Sequence, residues 1–359
     1  MARVNEHRTA RVGLIGYGLA GSAFHAPLIA TTDGLTLDTV VTANPDRQRQ
    51  AREEHAGVHT VATADELFAR ADALDLVVVA SPNRTHVALA TQALEAGLPV
   101  VVDKPIAGTA AEAEELTALA DARGLLLSVF QNRRWDNDFR TVRQLITEGA
   151  LGEVQRFESR FERWRPRPKG GWRESGDPAE IGGLLYDLGS HVVDQALTLF
   201  GPATTVYAES DIRRPGAAAD DDTFIALTHA GGVRSHLWVS ATAAQPGPRF
   251  RVLGSAAAYV KYGLDPQEAA LRAGARPGAD ADWGVEPESA WGTLGSLDES
   301  RPLRTLNGDY PAYYAGIAAA LRGAAAPPVT GGEAAAVLRV LEAARRAAAE
   351  RRTIPLTTG

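Results

Sequence analysis

"ARVGLIGYGLAGSAFHAPLIA", residues 10–30, opens with a short apolar strand over Val12–Ile15, runs through Gly16-x-Gly18-x-x-Gly21, and enters a helical pattern. Each glycine answers a steric demand. Gly16 permits the tight turn, Gly18 lets the main chain approach a pyrophosphate, and Gly21 lets helix and strand pack closely. The helix start around Leu19 and Ala20 supplies unpaired N–H groups and a partial positive charge for the phosphates. With a strand before it and a helix after it, the glycine pattern reads as a dinucleotide-binding turn.

The same alternation continues outward. "LTLDTVVT" (35–42) precedes a helix, "LDLVVVASP" (74–82) precedes "RTHVALATQALEAG" (84–97), and "PVVVDKP" (99–105) and Leu125–Val129 add further strands. Val-rich strands at βαβ spacing predict a doubly wound parallel sheet covered on both faces. The polar, aromatic "FQNRRWDNDFR" (130–140) marks its end. We therefore expect a dinucleotide-binding domain over 1–130 and a second α/β domain over 131–359.

In the second domain, "VQRFESRFERW" (154–164) puts Arg156, Glu158, Arg160 and Glu162 on one face and Phe157 and Phe161 on the other, as in a half-exposed strand. "TTVYAESDIR", "DTFIALTHA", "VRSHLWVSAT" and "RFRVLGSAAAYVKYG" predict further strands of a large, open, mostly antiparallel sheet with helices on one face. A second copy of the chain is an economical cover for the other face, so a homo-oligomer, dimer or tetramer, is expected. Residues 262–300 read as an irregular excursion anchored by Trp283 and Trp291. The stretches "DYPAYYAGIAAALRG" and the Val337, Leu338, Leu341, Ala344 pattern predict two closing helices.

Composition bounds the chemistry. The 359 residues suffice for two domains. No cysteine is present, which excludes disulfides, thiol nucleophiles and thiolate metal sites. A net charge of −7 argues against a nucleic-acid partner. "MARVNEHRTA" lacks the apolar core of a signal peptide, and the apolar runs are too short to cross a bilayer, so no membrane partner and a cytoplasmic location are expected.

Ligands of open parallel sheets bind beyond the carboxyl ends of the strands. The second strand ends at Thr42-Ala43-Asn44 without the carboxylate that holds a ribose 2′-hydroxyl. A small hydroxyl there leaves room for a 2′-phosphate, and Arg47 or Arg49 can pair with it, which favours NADP; the alternatives are arginines that are only solvated on their helix, or Asp46 turning back to the ribose, which leave NAD possible. Two other strand ends are polar: Ser81-Pro82-Asn83 with His86, and Asp103-Lys104-Pro105. Lys104 emerges where an amine can polarise a carbonyl or alkoxide and pass protons. The basic, Trp-bearing "RFERWRPRPKGGWRE" (160–174) reads either as a charged edge or as a loop that packs Trp172 on a substrate ring.

"YDLGSHVVDQALTLFG" (186–201) fits a helix closed by Gly201-Pro202, with Asp187, His191 and Asp194 on one face at i, i+4 and i+7. An Asp one turn from a His orients the imidazole and stabilises its protonated form, which suits a general base drawing a proton from a hydroxyl. A metal reading lacks clear third and fourth ligands, and no metal is expected.

These motifs, with Gly183 ahead of Asp187-x-Gly-x-His191-x-x-Asp194, resemble the Gfo/Idh/MocA oxidoreductase family in kind and order. "GYGLAGSAFHAPL", "NRRWDNDF", "LYDLGSH" and "KYGLDPQEAALRAG" are similar to its NADP-dependent scyllo-inositol dehydrogenase branch. The resemblance implies a Rossmann domain and an oligomerising open-sheet domain. It implies Lys104 and His191 as the proton-handling pair, held in place by Asp187. It adds Asn132 to the cofactor contacts (Gly16, Gly18, Leu19, Ala20, Gly21, Thr42, Asn44, Arg47, Ser81, Pro82, Asn83, His86, Asp103 and Lys104), and Arg133 and Trp135 to the substrate contacts (Lys104, Trp172, Asp187 and His191). The family usually has Glu where this chain has Asp103. The expected activity is hydride transfer between NADP and a secondary alcohol or ketone of an inositol-like polyol or a sugar. The alternatives are an NAD(P)-dependent aldose or sugar dehydrogenase and a non-catalytic nucleotide sensor.

Overall fold

The computed structural model describes residues 9–278 and 282–356. The chain divides into two units. The first is built from the chain through Asn132, joined by Gln267–Trp283 and Asp309–Ala335; the second comprises Arg133–Pro266, Gly284–Gly308 and the chain from Ala336.

The first unit holds a six-stranded sheet of β1 (Ala10–Ile15), β2 (Leu35–Val41), β3 (His59–Val61), β4 (Leu76–Val79), β5 (Val100–Asp103) and β6 (Leu127–Phe130). Its order is β3-β2-β1-β4-β5-β6, and every pair is parallel. The order reverses between β1 and β4, the switch point where such sheets leave a crevice at their carboxyl ends. All of β4 and Val100–Val102 of β5 are fully buried, which explains why these strands are uninterrupted valine and leucine. The helices are α1 (Ala26–Ala30), entered through a π-helical turn Ala20–His25, then α2 (Pro45–Glu54), α3 (Ala64–Phe68), α4 (His86–Glu95) and α5 (Ala110–Arg123). Thr109 and Glu112 form a capping box on α5, and Gly124 ends it with a left-handed φ of 62°.

In the second unit α6 (Asn137–Thr147), α7 (Leu184–Asp187) and α8 (Gly189–Phe200) accompany a nine-stranded sheet. Its strands are β7 (Val154–Glu162), β8 (Ala203–Asp211), β9 (Asp222–His229), β10 (Arg234–Ser240), β11 (Phe250–Gly254), β12 (Ala258–Lys261), β13 (Gly292–Gly295), β14 (Ser300–Leu303) and β15 (Ile354–Pro355). The order is β14-β13-β12-β11-β7-β10-β9-β8-β15. Only the β7–β10 pair is parallel; the others are antiparallel. The fold class is thus the expected Rossmann sheet plus an open, mostly antiparallel one. Phe157 and Phe161 are fully buried, and α8 packs on β7 and β10. The charged face is real, yet Glu158 on it is only 6% exposed. Arg156, Arg160 and Arg251 each place a guanidinium nitrogen 3.0–3.1 Å from its carboxylate.

Three expectations need correction. "RFRVLGSAAAYVKYG" is a hairpin, because Ser255–Ala257 turn the chain between β11 and β12. Residues 262–300 are not wholly irregular: they supply α9 (Gln267–Arg272) and β13. Gln267 ties α9 into the first unit, its side-chain oxygen accepting from the Trp283 indole at 2.9 Å and the Tyr310 N–H at 2.7 Å. The stretch 186–201 is not one helix. Leu188, at φ −102°, separates α7 from α8, so the i, i+4 relation of Asp187 and His191 crosses a break. The remaining helices are α10 (Pro311–Leu321) and α11 (Gly331–Glu350). Among the described residues no helix is long and apolar enough to cross a membrane.

Candidate active site

The glycine turn can be tested by asking what a side chain would meet. A Cβ on Gly16, whose φ is +103°, would lie 2.5 Å from the Ala80 carbonyl oxygen, and one on Gly21 would lie 2.0 Å from that of Gly16. These two glycines are demanded by the protein's own packing. Among the described residues a Cβ at Gly18 would meet one atom within 4 Å, Nη1 of Arg47 at 3.9 Å. The main chain at Gly18 is therefore bare on the side where a pyrophosphate is expected, with a cation beside it, and this cradle fits a dinucleotide. Tyr17, between the glycines, is buried and donates its hydroxyl to Glu54 at 2.9 Å, pinning the turn to the end of α2. Leu19 is 46% exposed at the start of the π-helical turn, where Ala20 follows it.

At the tip of β2, Thr42 is buried and Asn44 caps α2, its side-chain oxygen accepting from the N–H groups of Asp46 and Arg47 at 2.9 and 3.1 Å. Asp46 is ion-paired with Arg49. Of the two arginines read from the sequence, Arg49 is thus engaged by a neighbour, whereas the guanidinium of Arg47 stands at the glycine turn.

The ends of β4 and β5 are tied together by His86. Its Nδ1 lies 2.7 Å from the Pro105 carbonyl oxygen and its Nε2 lies 2.9 Å from that of Ser81. Ser81 Oγ also bonds Thr85 Oγ1 at 2.6 Å, and Pro82 leads into a short 3₁₀ turn, Asn83–Thr85, in which Asn83 is buried. Lys104 is half-buried directly after β5. Asp103 accepts the Lys104 N–H on Oδ1 at 2.8 Å and places Oδ2 3.8 Å from Nε2 of His25, an ion-pair rather than hydrogen-bond distance. Burial acts to raise the Asp103 carboxyl, but His25 beside it and the charges of His86 and Lys104 outweigh burial and hold it below the usual carboxylate range. Asn132, the last residue of this part of the first unit, is buried.

In the second unit His191 is 5% exposed, its ring 6.3 Å from that of Phe161. Asp187 is half-buried at the end of α7, with Arg173 Nε 4.0 Å from its Oδ1. The same Arg173 guanidinium lies 4.2 Å from the Trp172 ring. The structure therefore brings the Trp172 loop to Asp187 through Arg173, a residue the sequence reading passed over although it adjoins Trp172. A second residue passed over is Asp220, hidden in the run Asp220-Asp221-Asp222. It accepts the Leu185 N–H at 2.6 Å at the start of α7. A Cβ on Gly183, at φ +98°, would fall 1.9 Å from the Asp220 Oδ1. Glycine is needed there so that the carboxylate can seat the helix bearing Asp187.

Asp194, read on the same face as Asp187 and His191, is committed elsewhere. It is 1% exposed and holds Arg134 in a two-pronged pair at 2.9 and 2.7 Å. Arg133 is 7% exposed, 3.5 Å from Asp136 and 5.1 Å from the Phe161 ring, and Trp135 beside it is half-buried. Among the described residues no group of three or more His, Asp or Glu is arranged to hold a metal ion.

The models of known families now decide the class. Residues 10–131 match the oxidoreductase family, NAD-binding Rossmann fold, and residues 139–260 match the GFO/IDH/MocA C-terminal domain. The chain belongs to the Gfo/Idh/MocA oxidoreductase family. It is 43% identical over 348 residues to the uncharacterised oxidoreductase YdgJ of Escherichia coli K12, covering 96% of this chain and 98% of that one. It is 38% identical over 352 residues to the scyllo-inositol 2-dehydrogenase (NADP(+)) IolW of Bacillus subtilis, covering 97% and 96%. The solved structure of yvaA from Bacillus subtilis superposes with a TM-score of 0.92 at 36% identity, covering 99% of this chain and 100% of that one. Membership makes the chain an NAD(P)-dependent oxidoreductase acting on CH–OH groups.

Proposed function

We propose that this oxidoreductase is NADP-dependent and interconverts a secondary alcohol and ketone of a cyclic polyol of the inositol kind. The observation that carries the cofactor choice is Arg47, whose guanidinium stands 3.9 Å from the Cβ position of Gly18 while no carboxylate closes the tip of β2. Similarity to IolW supports the polyol. When bound, the nicotinamide takes or gives the hydride. The protein must then move the hydroxyl proton. We assign its acceptance to His191, with Asp187 orienting the imidazole, and stabilisation of the developing alkoxide to the Lys104 ammonium. Arg133, Trp135 and Trp172 are assigned to the substrate's ring and hydroxyls, and Asn132, Ser81, Pro82, Asn83 and His86 to the cofactor side. The face of the large sheet bearing Trp238 and Phe224 is assigned to a second copy of the chain.

A spectrophotometric screen of inositols, aldoses and other sugars with NADP and NAD tests this reading. Turnover of an inositol with NADP at a higher kcat/KM than any aldose supports it. Preference for an aldose, or for NAD, replaces the polyol or the cofactor assignment respectively.

A further inference from the structure

Asp103 carries a short carboxylate, and the structure shows what it touches. One oxygen turns back onto the N–H of Lys104 at 2.8 Å and the other faces Nε2 of His25 at 3.8 Å. His25 is fully buried in the first unit, its ring 4.4 Å from that of Phe130. Its Nδ1 lies 2.6 Å from the hydroxyl of Tyr314, which is also fully buried.

The roles along this row follow from what each group can donate. The Asp103 carboxylate faces Nε2 of His25 across 3.8 Å, beyond hydrogen-bond reach, so this contact is electrostatic. Burial first, then the neighbouring Tyr313 and the Asp103 charge, push the Tyr314 hydroxyl well above its usual pKa. Tyr314 therefore keeps its proton and donates it to Nδ1. The row reads Tyr314 O–H to His25 Nδ1, His25 Nε2 facing the Asp103 carboxylate at 3.8 Å, and Lys104 N–H to Asp103. On the other side of Lys104, His86 holds the Pro105 carbonyl oxygen at 2.7 Å. The residue that offers the amine is bracketed by two buried histidines, one acting on the preceding side chain and one on the following main chain.

We propose that His25, oriented by Tyr314, is a positioning residue for Lys104: through Asp103 it fixes the turn from which the Lys104 amine projects. The inference rests on the assignment of Lys104 to the chemistry. A buried imidazole held from behind and facing a carboxylate is a rigid support, and loss of such support moves a reacting group by enough to slow turnover without disturbing cofactor binding.

His25→Phe keeps the ring that packs on Phe130 and removes both nitrogens. We expect kcat to fall about ten- to hundredfold with NADP affinity within about twofold of the parent. His25→Gln, which restores a donor near the Nε2 position, is expected to recover most of the loss. Asp103→Asn is expected to match His25→Phe, and the double variant to be no slower than either single one. Tyr314→Phe, which keeps its ring and packing, is expected to slow turnover by a smaller factor, and it serves as the independent variant if His25→Phe folds poorly. Lys104→Ala is measured alongside. If Lys104→Ala is inactive while folded His25→Phe and Tyr314→Phe turn over at the parental rate, the positioning role is refuted and the Lys104 assignment stands. If Lys104→Ala itself turns over normally, both fall. Strictly additive losses in the double variant also overturn the proposal, because they mean that His25 and Asp103 act separately.

Discussion

Arg47→Ala is the perturbation with the sharpest consequence for cofactor choice. The side chain is exposed at the start of α2, with its guanidinium beside the Gly18 main chain. A hydrogen bond between charged partners is worth about 1.5–3 kcal/mol. Exposure and salt screening place this one toward the lower part of that range, at about 1.5–2 kcal/mol. At about 1.4 kcal/mol per factor of ten, NADP affinity should fall roughly ten- to thirtyfold. NAD carries no 2′-phosphate and loses only what Arg47 gives the pyrophosphate that both cofactors share, so its affinity should fall by a clearly smaller factor than that of NADP. Arg49→Ala is the internal control. Its guanidinium is already paired with Asp46, and the loss of such an exposed pair should alter NADP binding by less than about threefold. Fluorescence titration of NADPH and NADH against the three proteins, at low and high salt, gives the numbers. The NADP penalty of Arg47→Ala should shrink as salt rises. An equal loss for both cofactors, or a larger loss from Arg49→Ala, refutes the assignment of Arg47 to the 2′-phosphate.

His191→Ala should lower kcat by roughly 10²–10⁴-fold with cofactor affinity kept, because the glycine turn lies in the other unit; full turnover by a folded variant removes His191 from the chemistry. Asp194→Asn should instead act on stability. It removes the charge from the two-pronged, buried pair with Arg134, at a cost of about 2–4 kcal/mol, read from the urea midpoint. A cost under about 1 kcal/mol contradicts the structural role given to that pair. Stability should also fall on the acid side of neutrality. Desolvation lowers the pKa of His229 and of His55, so both are folded in the neutral form. Their unfolded counterparts take up protons from about pH 6.5 downward. The unfolded state then binds more protons, and stability drops from about pH 6.5 until the pH passes below the folded values. His229→Gln should flatten part of that slope in a series of melting curves, and an unchanged slope assigns it to other groups.

The first sheet was readable because its two signals, the glycine spacing and the valine runs, have local causes. Gly16 and Gly21 are required by contacts with Ala80 and with Gly16 itself, and a strand covered on both faces tolerates little but Val and Leu. The second sheet was readable from sequence alternation in β7, β9 and β10; burial follows every second residue in β9 and most of β10, and departs from it in β7, where Glu158 is buried among arginines. Its parallel β7–β10 pair was not, since the direction of a neighbouring strand depends on how the chain returns and leaves no mark on the pattern.

What escaped the sequence are groups whose meaning depends on a distant partner. Asp194 and Asp187 look alike seven residues apart, yet one is consumed by Arg134, 60 positions away, and the other faces the Trp172 loop through Arg173. The break at Leu188 makes this division possible: it lets α7 be seated by Asp220 while α8 is fixed by its buried face against β7 and β10. His25 was even less legible. It sits in the motif that announced the nucleotide fold, but its partner Tyr314 lies 289 positions away in a segment joined to the first unit only after the chain has built most of the second. Helical periodicity can place such a histidine on a buried face. Only the return of Asp309–Ala335 supplies the hydroxyl that tells a structural histidine from one aimed at the carboxylate beside Lys104.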